Sequence, residues 1–255
     1  ATNKNLLKRL TEQRRKVLQR LVAINTRDTQ TTHTHRRKES YRDRLILSKG
    51  HGCLALYAIL ADKNFFNKKV LKTSSRFNSI LGGHPEYGKV PGVEASTGAL
   101  GHGPAIGMGM ALSCKLKKQK HRVFVVVGDG EINEGSFWET SMIANKHKLD
   151  NFHIIIDYNK IQSYGKTYEV LNLEPLKEKL YSFGYNVSEV NGHDVKKLIK
   201  YFEKIKKNKN KPTALICHTI KGKGFSFAEN NPKWHRKNFF TDVEIDLINK
   251  SIGKS

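Results

Sequence analysis

The chain has 255 residues, with 46 Lys or Arg against 23 Asp or Glu, for a formal charge of +23. That length suits one large α/β domain with a real core, or at most two small ones. No stretch approaches the roughly 20 consecutive apolar residues of a membrane span, and Ala1 to Lys8 forms no apolar signal region, so a cytoplasmic location and no membrane partner are expected. Three cysteines, Cys53, Cys114 and Cys217, are far apart and form no CxxC pair, the pattern of buried free thiols rather than of zinc.

The positive charge admits nucleic acid, an acidic partner or phosphorylated substrates. The lysines are scattered, as in Lys115, Lys117, Lys118 and Lys120, and again in Lys204, Lys206, Lys207, Lys209 and Lys211. Most fall where helices should end, a place that favours cations. A solvated lysine-rich face accounts for them, and no basic motif interleaved with aromatics favours nucleic acid.

In chain order, residues 5–25 read as an amphipathic helix, with Leu6, Leu7, Leu10, Val17, Leu18, Leu21 and Val22 near one face. Residues 26–44 are polar, with no apolar period, and are expected as a loop or mobile segment. The character changes from Ile46, and Gly52–Leu60 is expected to be helical. A Gly/Pro-rich loop covers 82–103, long enough to be functional. Pro104–Lys117 reads as a helix whose Gly107 and Gly109 predict close packing. Val123–Val127 and Phe152–Ile156 are continuous apolar runs, the mark of strands buried on both faces. Between and after them come a helix at Glu134–Lys146, a helix at Leu173–Phe183 and a short strand at Asn186–Val190. A helix at Asp194–Lys207 with Asp194 as N-cap and a strand at Thr213–Thr219 complete the set. This alternation predicts one α/β domain spanning the chain, a mostly parallel sheet with helices on both faces.

In such sheets ligands sit beyond the carboxyl ends of the strands. Gly128-Asp129-Gly130 follows the first buried strand, Asp157-Tyr158-Asn159-Lys160-Ile161 the second, and His218-Thr219-Ile220-Lys221-Gly222-Lys223-Gly224 the last. Glycines let the backbone approach a ligand closely. Asp129 is a hard oxygen donor suited to Mg²⁺ or Ca²⁺, Asn159 supplies a second oxygen, and the Ile161 carbonyl a third. A helix beginning near Glu134 aims its positive end at a phosphate. An Asp-Gly turn and an Asn turn are also common at strand ends without any function; their pairing on adjacent strands favours a diphosphate–magnesium cradle.

Gly128-Asp129-Gly130-Glu131-Ile132-Asn133-Glu134-Gly135 followed by Asp157-Tyr158-Asn159 resembles the thiamine-diphosphate fingerprint of transketolases. Ser48-Lys49-Gly50-His51-Gly52, Gly83-His84-Pro85-Glu86, the run from Pro91 to Gly101, Val190-Asn191-Gly192-His193-Asp194, Lys221-Gly222-Lys223-Gly224 and Trp234-His235 are similar to further transketolase motifs, in order over roughly residues 42–236. The resemblance implies a thiamine-diphosphate-binding fold with that cofactor and Mg²⁺, for which Ca²⁺ or Mn²⁺ substitutes. It implies that Asp129, Asn159 and the Ile161 carbonyl hold the metal, and that Gly128, Gly130, Glu131 and His218 lie at the cofactor with Gly98, Leu100 and His102. It further implies that His51, His84 and His235 line the substrate channel and move protons, and that Glu134 joins a carboxylate network across a subunit interface. Histidine suits proton transfer because its unperturbed pKa is about 6.5. His33, His35, His121, His147 and His153 carry no such motif and are read as structural, and His193 as ordering a loop.

The implied activity is transfer of a two-carbon ketol unit from a ketose or ketose phosphate to an aldose. Transketolases also carry a pyrimidine-binding domain, and the sequence up to Ser255 has no room for one. A separate partner subunit in an α2β2 assembly is therefore expected. Two departures bear on the substrate: residues 25–42 lack a Gly-His-Pro-Gly equivalent, and Arg236 stands after His235 where relatives usually have Gly. The alternatives are the α subunit of a 2-oxo acid dehydrogenase or another thiamine-diphosphate carboligase and, in a different class, a basic nucleic-acid-binding protein.

Overall fold

The computed structural model describes residues 42–205, 208–235 and 240–251. The expected helix over 5–25 and most of the polar segment 26–44 lie outside these residues.

The chain builds strand β1 (Arg44–Leu47), helix α1 (Cys53–Asp62), helix α2 (His102–Leu116), β2 (Val123–Gly128), α3 (Gly135–Lys146) and β3 (Phe152–Tyr158). A small hairpin of β4 (Ile161–Gln162) and β5 (Gly165–Lys166) follows, then α4 (Thr167–Val170), α5 (Leu176–Ser182), β6 (Asn186–Asn191), α6 (Val195–Lys204), β7 (Thr213–His218) and α7 (Asp242–Ser251). Five strands form one sheet in the order β1-β2-β3-β7-β6, and every pairing is parallel. None of the described helices is long and apolar enough to cross a membrane.

The continuous apolar runs follow from helices covering both faces of the sheet. On one face Val123, Val125, Val127, Ile154, Ile156 and Ile216 pack with Ala111 of α2, Phe137 and Ala144 of α3, and Leu176 and Leu180 of α5. On the other, Phe124, Val126, Ile155, Leu215 and Cys217 meet Leu56, Tyr57 and Leu60 of α1 and Leu198 and Phe202 of α6. Strand β6 lies at an edge and is correspondingly polar, with Asn186 and Asn191 exposed; polar edges discourage pairing with other chains. All three cysteines are buried and free.

Strand β1 starts at Arg44, inside the segment expected as loop. Its outer anchors are charged: Asp43 receives the Arg122 guanidinium and its backbone N–H, and Glu94 pairs with Arg42 and Arg44. Helix α5 begins only at Leu176, after Pro175 as N-cap. The Asp194 side chain caps α6 by accepting from the Lys197 N–H at 3.0 Å, as expected. The hairpin, α7 and the isolated short turns carry too few periodic residues to announce themselves.

The two glycines of α2 behave differently. A Cβ at Gly107 would stand 2.5 Å from Val125 Cγ2, so the helix lies directly on β2; a Cβ at Gly109 would meet nothing within 4 Å. Gly107→Ala is therefore expected to destabilise the fold by about 1–3 kcal/mol through overpacking. Gly109→Ala is expected to be neutral or to stabilise by up to ~1 kcal/mol through helix propensity. Urea unfolding of the two variants checks the contrast.

Candidate active site

Four adjacent strands deliver the polar groups. The carboxyl ends of β1, β2, β3 and β7 present Ser48 and Lys49, Asp129, Asp157 and Asn159, and Thr219 and Lys221 respectively. Gly128 pairs with Asp157 in register, so β2 and β3 end side by side.

Asp129 is 3 % exposed and Asn159 8 %. One Asp129 carboxylate oxygen accepts from the Gly130 N–H at 2.8 Å and the other from the Lys160 N–H at 2.5 Å. Asn159 Oδ1 accepts from the Ile161 N–H at 3.1 Å. Lys160 adopts φ 64°, a left-handed conformation uncommon for a residue with a long side chain; it sits in the turn whose N–H groups bond Asp129 and Asn159. Burial pushes the Asp129 carboxyl pKa upward, as does the neighbouring Asp157; Lys49 and the two backbone N–H groups oppose this. A buried carboxylate, an amide oxygen and a peptide carbonyl are hard oxygen donors of the kind Mg²⁺ selects. The Ile161 carbonyl accepts from Lys221 Nζ at 3.2 Å, so the Lys221 ammonium lies against that oxygen.

Lys49 stands at the centre. Its ammonium is 2.5 Å from Asp157 Oδ2, and Thr219 Oγ1 donates to Asp157 Oδ1 at 2.5 Å. Its charge acts on Asp129, Glu131, His51 and His235 together. Lys49, Asp157 and Lys221 were visible only as letters within motifs; their roles depend on neighbouring strand ends that adjoin only after folding.

Glu131, expected at the cofactor, is turned into the protein and is 2 % exposed. Its carboxylate accepts from Ser48 Oγ, from the Gly101 N–H at 3.1 Å and from the Gly128 N–H at 3.3 Å. It ties β1, the Gly/Pro-rich loop and β2 together behind Asp129. His218, also expected there, points to the side of Tyr158 and Glu189: its Nε2 lies 2.9 Å from Glu189 Oε2 and its ring packs edge-on to Tyr158. Strand alternation is the cause, since Asp157 and Tyr158 face opposite sides. Gly130 is closed by Gln162, whose Cβ lies 2.8 Å from where a Gly130 Cβ would be, while Gly128 has only Lys49 Cβ nearby, at 3.9 Å.

The glycines of the long loop bring the histidines in. A Cβ at Gly50 would stand 2.7 Å from the Gly98 nitrogen, and one at Gly98, where φ is 137°, would stand 2.8 Å from His84 Cδ2. The turn carrying His51 therefore packs backbone to backbone on Thr97-Gly98, and His84 lies over Gly98. The rings of His51 and His235 are 5.4 Å apart, and Ser163 Oγ is 3.2 Å from His235 Nε2. Leu100 and His102 adjoin at the start of α2, where His102 Nδ1 meets the Leu100 carbonyl at 3.2 Å. Glu134 is exposed and packs at Gly101, outside the Asp129 cluster. The histidines read as structural behave so where described: His153 is buried against Thr213, His121 is buried against Cys114, and His147 is exposed. His193 accepts from the Ile220 N–H at 2.8 Å, ordering the loop after β7. A groove of about 1080 Å³ between residues 87–96 and α2 contains none of the Asp129 cluster.

His51 and His235 are both held near pKa 4, against an ordinary 6.5. Desolvation by the cleft wall is the largest cause for each, even though His51 keeps one side open to solvent; Lys49, His235, Lys221 and His84 add to it for His51, and Lys221 and Lys49 for His235. A lowered imidazole pKa means that the unfolded chain takes up protons first, so these two residues cost stability as pH falls from about 6.5 towards about 4. Imidazole NMR titration is expected to leave both rings neutral from pH 7.5 down to about 5. Lys49→Met should raise both midpoints, and midpoints near 6.5 in the wild type would contradict the geometry.

Residues 22–255 match the family described as "Transketolase, thiamine diphosphate binding domain". The chain is 46 % identical over 198 residues to a subunit of the apulose-4-phosphate transketolase of Phocaeicola vulgatus, covering 78 % of this chain and 70 % of that protein. It is 40 % identical over 194 residues to the 6-deoxy-6-sulfo-D-fructose transketolase subunit SqwG of a Clostridium species, covering 76 % and 70 %. The crystal structure of Campylobacter jejuni transketolase superposes with a TM-score of 0.77 at 32 % identity, over 84 % of this chain and 34 % of that one. With the strand-end cluster and these matches together, the chain belongs to the transketolase thiamine-diphosphate-binding domain family.

Proposed function

We propose that this chain is the diphosphate-binding subunit of a two-polypeptide transketolase, active with thiamine diphosphate and Mg²⁺ in the cytoplasm. The observation that carries the reading is the convergence of Asp129 and Asn159 on the turn at Lys160. Asp129, Asn159 and the Ile161 carbonyl would hold the metal, in the usual Mg²⁺ arrangement of few protein oxygens completed by phosphate. Lys49 and Lys221 stand beside that cluster and offset the charge of a diphosphate. When bound, thiamine diphosphate supplies the nucleophilic carbon and electron sink for carbon–carbon cleavage.

The chain's own groups then act on the sugar. His51, held neutral by desolvation and the nearby lysines, offers both a donor and an acceptor nitrogen to sugar hydroxyls, and the neutral His235 stands beside it. His84, seated on Gly98, closes the same wall. The relatives from Phocaeicola vulgatus and Clostridium are each named as one subunit of a transketolase. That supports a separate pyrimidine-binding partner, for which an α2β2 assembly is the simplest arrangement, with Glu134 exposed to meet it. Their names also favour a phosphorylated or otherwise anionic sugar as donor, and the charge of +23 suits such substrates.

The chain mixed with a pyrimidine-binding transketolase subunit, Mg²⁺ and thiamine diphosphate is expected to transfer a two-carbon unit between sugars. Absence of transfer with every ketose donor tried would refute the reading. Asp129→Ala should weaken Mg²⁺-dependent cofactor binding in calorimetry by at least ~100-fold, since even outer partners of metal ligands are worth 10–100-fold.

A further inference from the structure

The β4–β5 hairpin turns through Ser163 and Tyr164, and its first strand is fastened to the cradle. The Ile161 N–H donates to Asn159 and the Ile161 carbonyl accepts from Lys221. Gln162 fills the space beside Gly130, and the Thr167 N–H donates to the Lys160 carbonyl at 3.0 Å. The hairpin tip therefore has a defined position relative to Asp129.

At that tip the Ser163 hydroxyl is exposed and lies 3.2 Å from His235 Nε2. His235 follows the short helical turn Pro232–Trp234, far along the chain. Its contact with His51 is a tilted ring pair at 5.4 Å, which has no directional requirement. A hydrogen bond has one. The other nitrogen, Nδ1, is buried and has no hydrogen-bond partner among the described residues. A buried N–H without an acceptor is costlier than a buried lone pair, so the proton of the neutral ring belongs on Nε2, pointing at Ser163 Oγ.

Resting on the transketolase reading, we propose that Ser163 is a positioning residue for His235, fixing the rotation of its imidazole by accepting from Nε2–H. With His235 Nε2–H donating to Ser163 Oγ, the serine O–H is left to donate into the open cleft. The pair then offers a directed donor to an oxygen of the sugar. Because Ser163 lies two residues after Ile161, the same hairpin sets both a carbonyl of the cradle and the orientation of this histidine.

The test uses Ser163→Ala and Ser163→Thr. In the full-length chain, ¹⁵N spectra of His235 are expected to show the Nε2–H tautomer in all three proteins, because Nδ1 stays buried, while the slowly exchanging Nε2–H proton of the wild type and Ser163→Thr is lost to solvent exchange in Ser163→Ala. In the assembled enzyme, kcat should fall roughly 3- to 10-fold in Ser163→Ala, the worth of one hydrogen bond, with the cofactor affinity unchanged and with recovery in Ser163→Thr. A slowly exchanging Nε2–H proton retained in Ser163→Ala, or an equal loss of kcat in both variants, would overturn the proposal. If the wild-type assembly transfers no ketol unit, the transketolase reading fails instead, and the spectra of the chain still decide the Ser163–His235 link.

Discussion

The site depends on one hydrogen bond across two strand ends, from the Lys160 N–H to the Asp129 carboxylate. The parallel register of β2 and β3, with Gly128 beside Asp157, brings the two ends level, and the left-handed backbone at Lys160 closes the remaining gap. A left-handed lysine costs conformational energy that nearby structure must offset. Here the offset comes from contacts that also hold the Asp129 carboxylate and the Asn159 amide oxygen. A buried carboxylate needs partners, and Asp129 has two backbone N–H groups and the Lys49 charge.

The electrostatics are arranged around Lys49 rather than around any acid. Its ammonium pairs with Asp157, lowers the pKa of both cleft histidines and opposes the upward shift of Asp129 and Glu131. Glu131 works from behind as a structural clamp between Ser48, Gly101 and Gly128. A front of strand-end oxygens and lysines thus rests on a back of buried hydrogen bonds. The helices on both faces hold the strand ends in place by packing, as where Gly107 lets α2 lie against Val125.

The central strands β2, β3 and β7 were legible because burial on both faces leaves unbroken apolar runs. The position of Asp129 and Asn159 at the ends of β2 and β3 was legible because each directly follows such a run. Strand β1 was not, since its four residues follow a polar segment and its strand character comes from pairing with Val123–Val126. The direction of Glu131 was hidden because a side chain on a 3-10 turn can face either way, and its Ser48 and Gly101 partners are remote in sequence. His218 occupies the expected strand end but projects to the Tyr158 side. Ser163 carried no local signal, because its meaning lies in a contact with His235 across the fold.

Location of a bound divalent cation tests the central claim most directly. In crystals of the chain grown with thiamine diphosphate and Mn²⁺, the anomalous peak is expected within about 2.2 Å of an Asp129 carboxylate oxygen and of Asn159 Oδ1, the distance typical of small hard cations. A peak elsewhere, with Asp129 still bonded only to its two backbone N–H groups, would contradict the account.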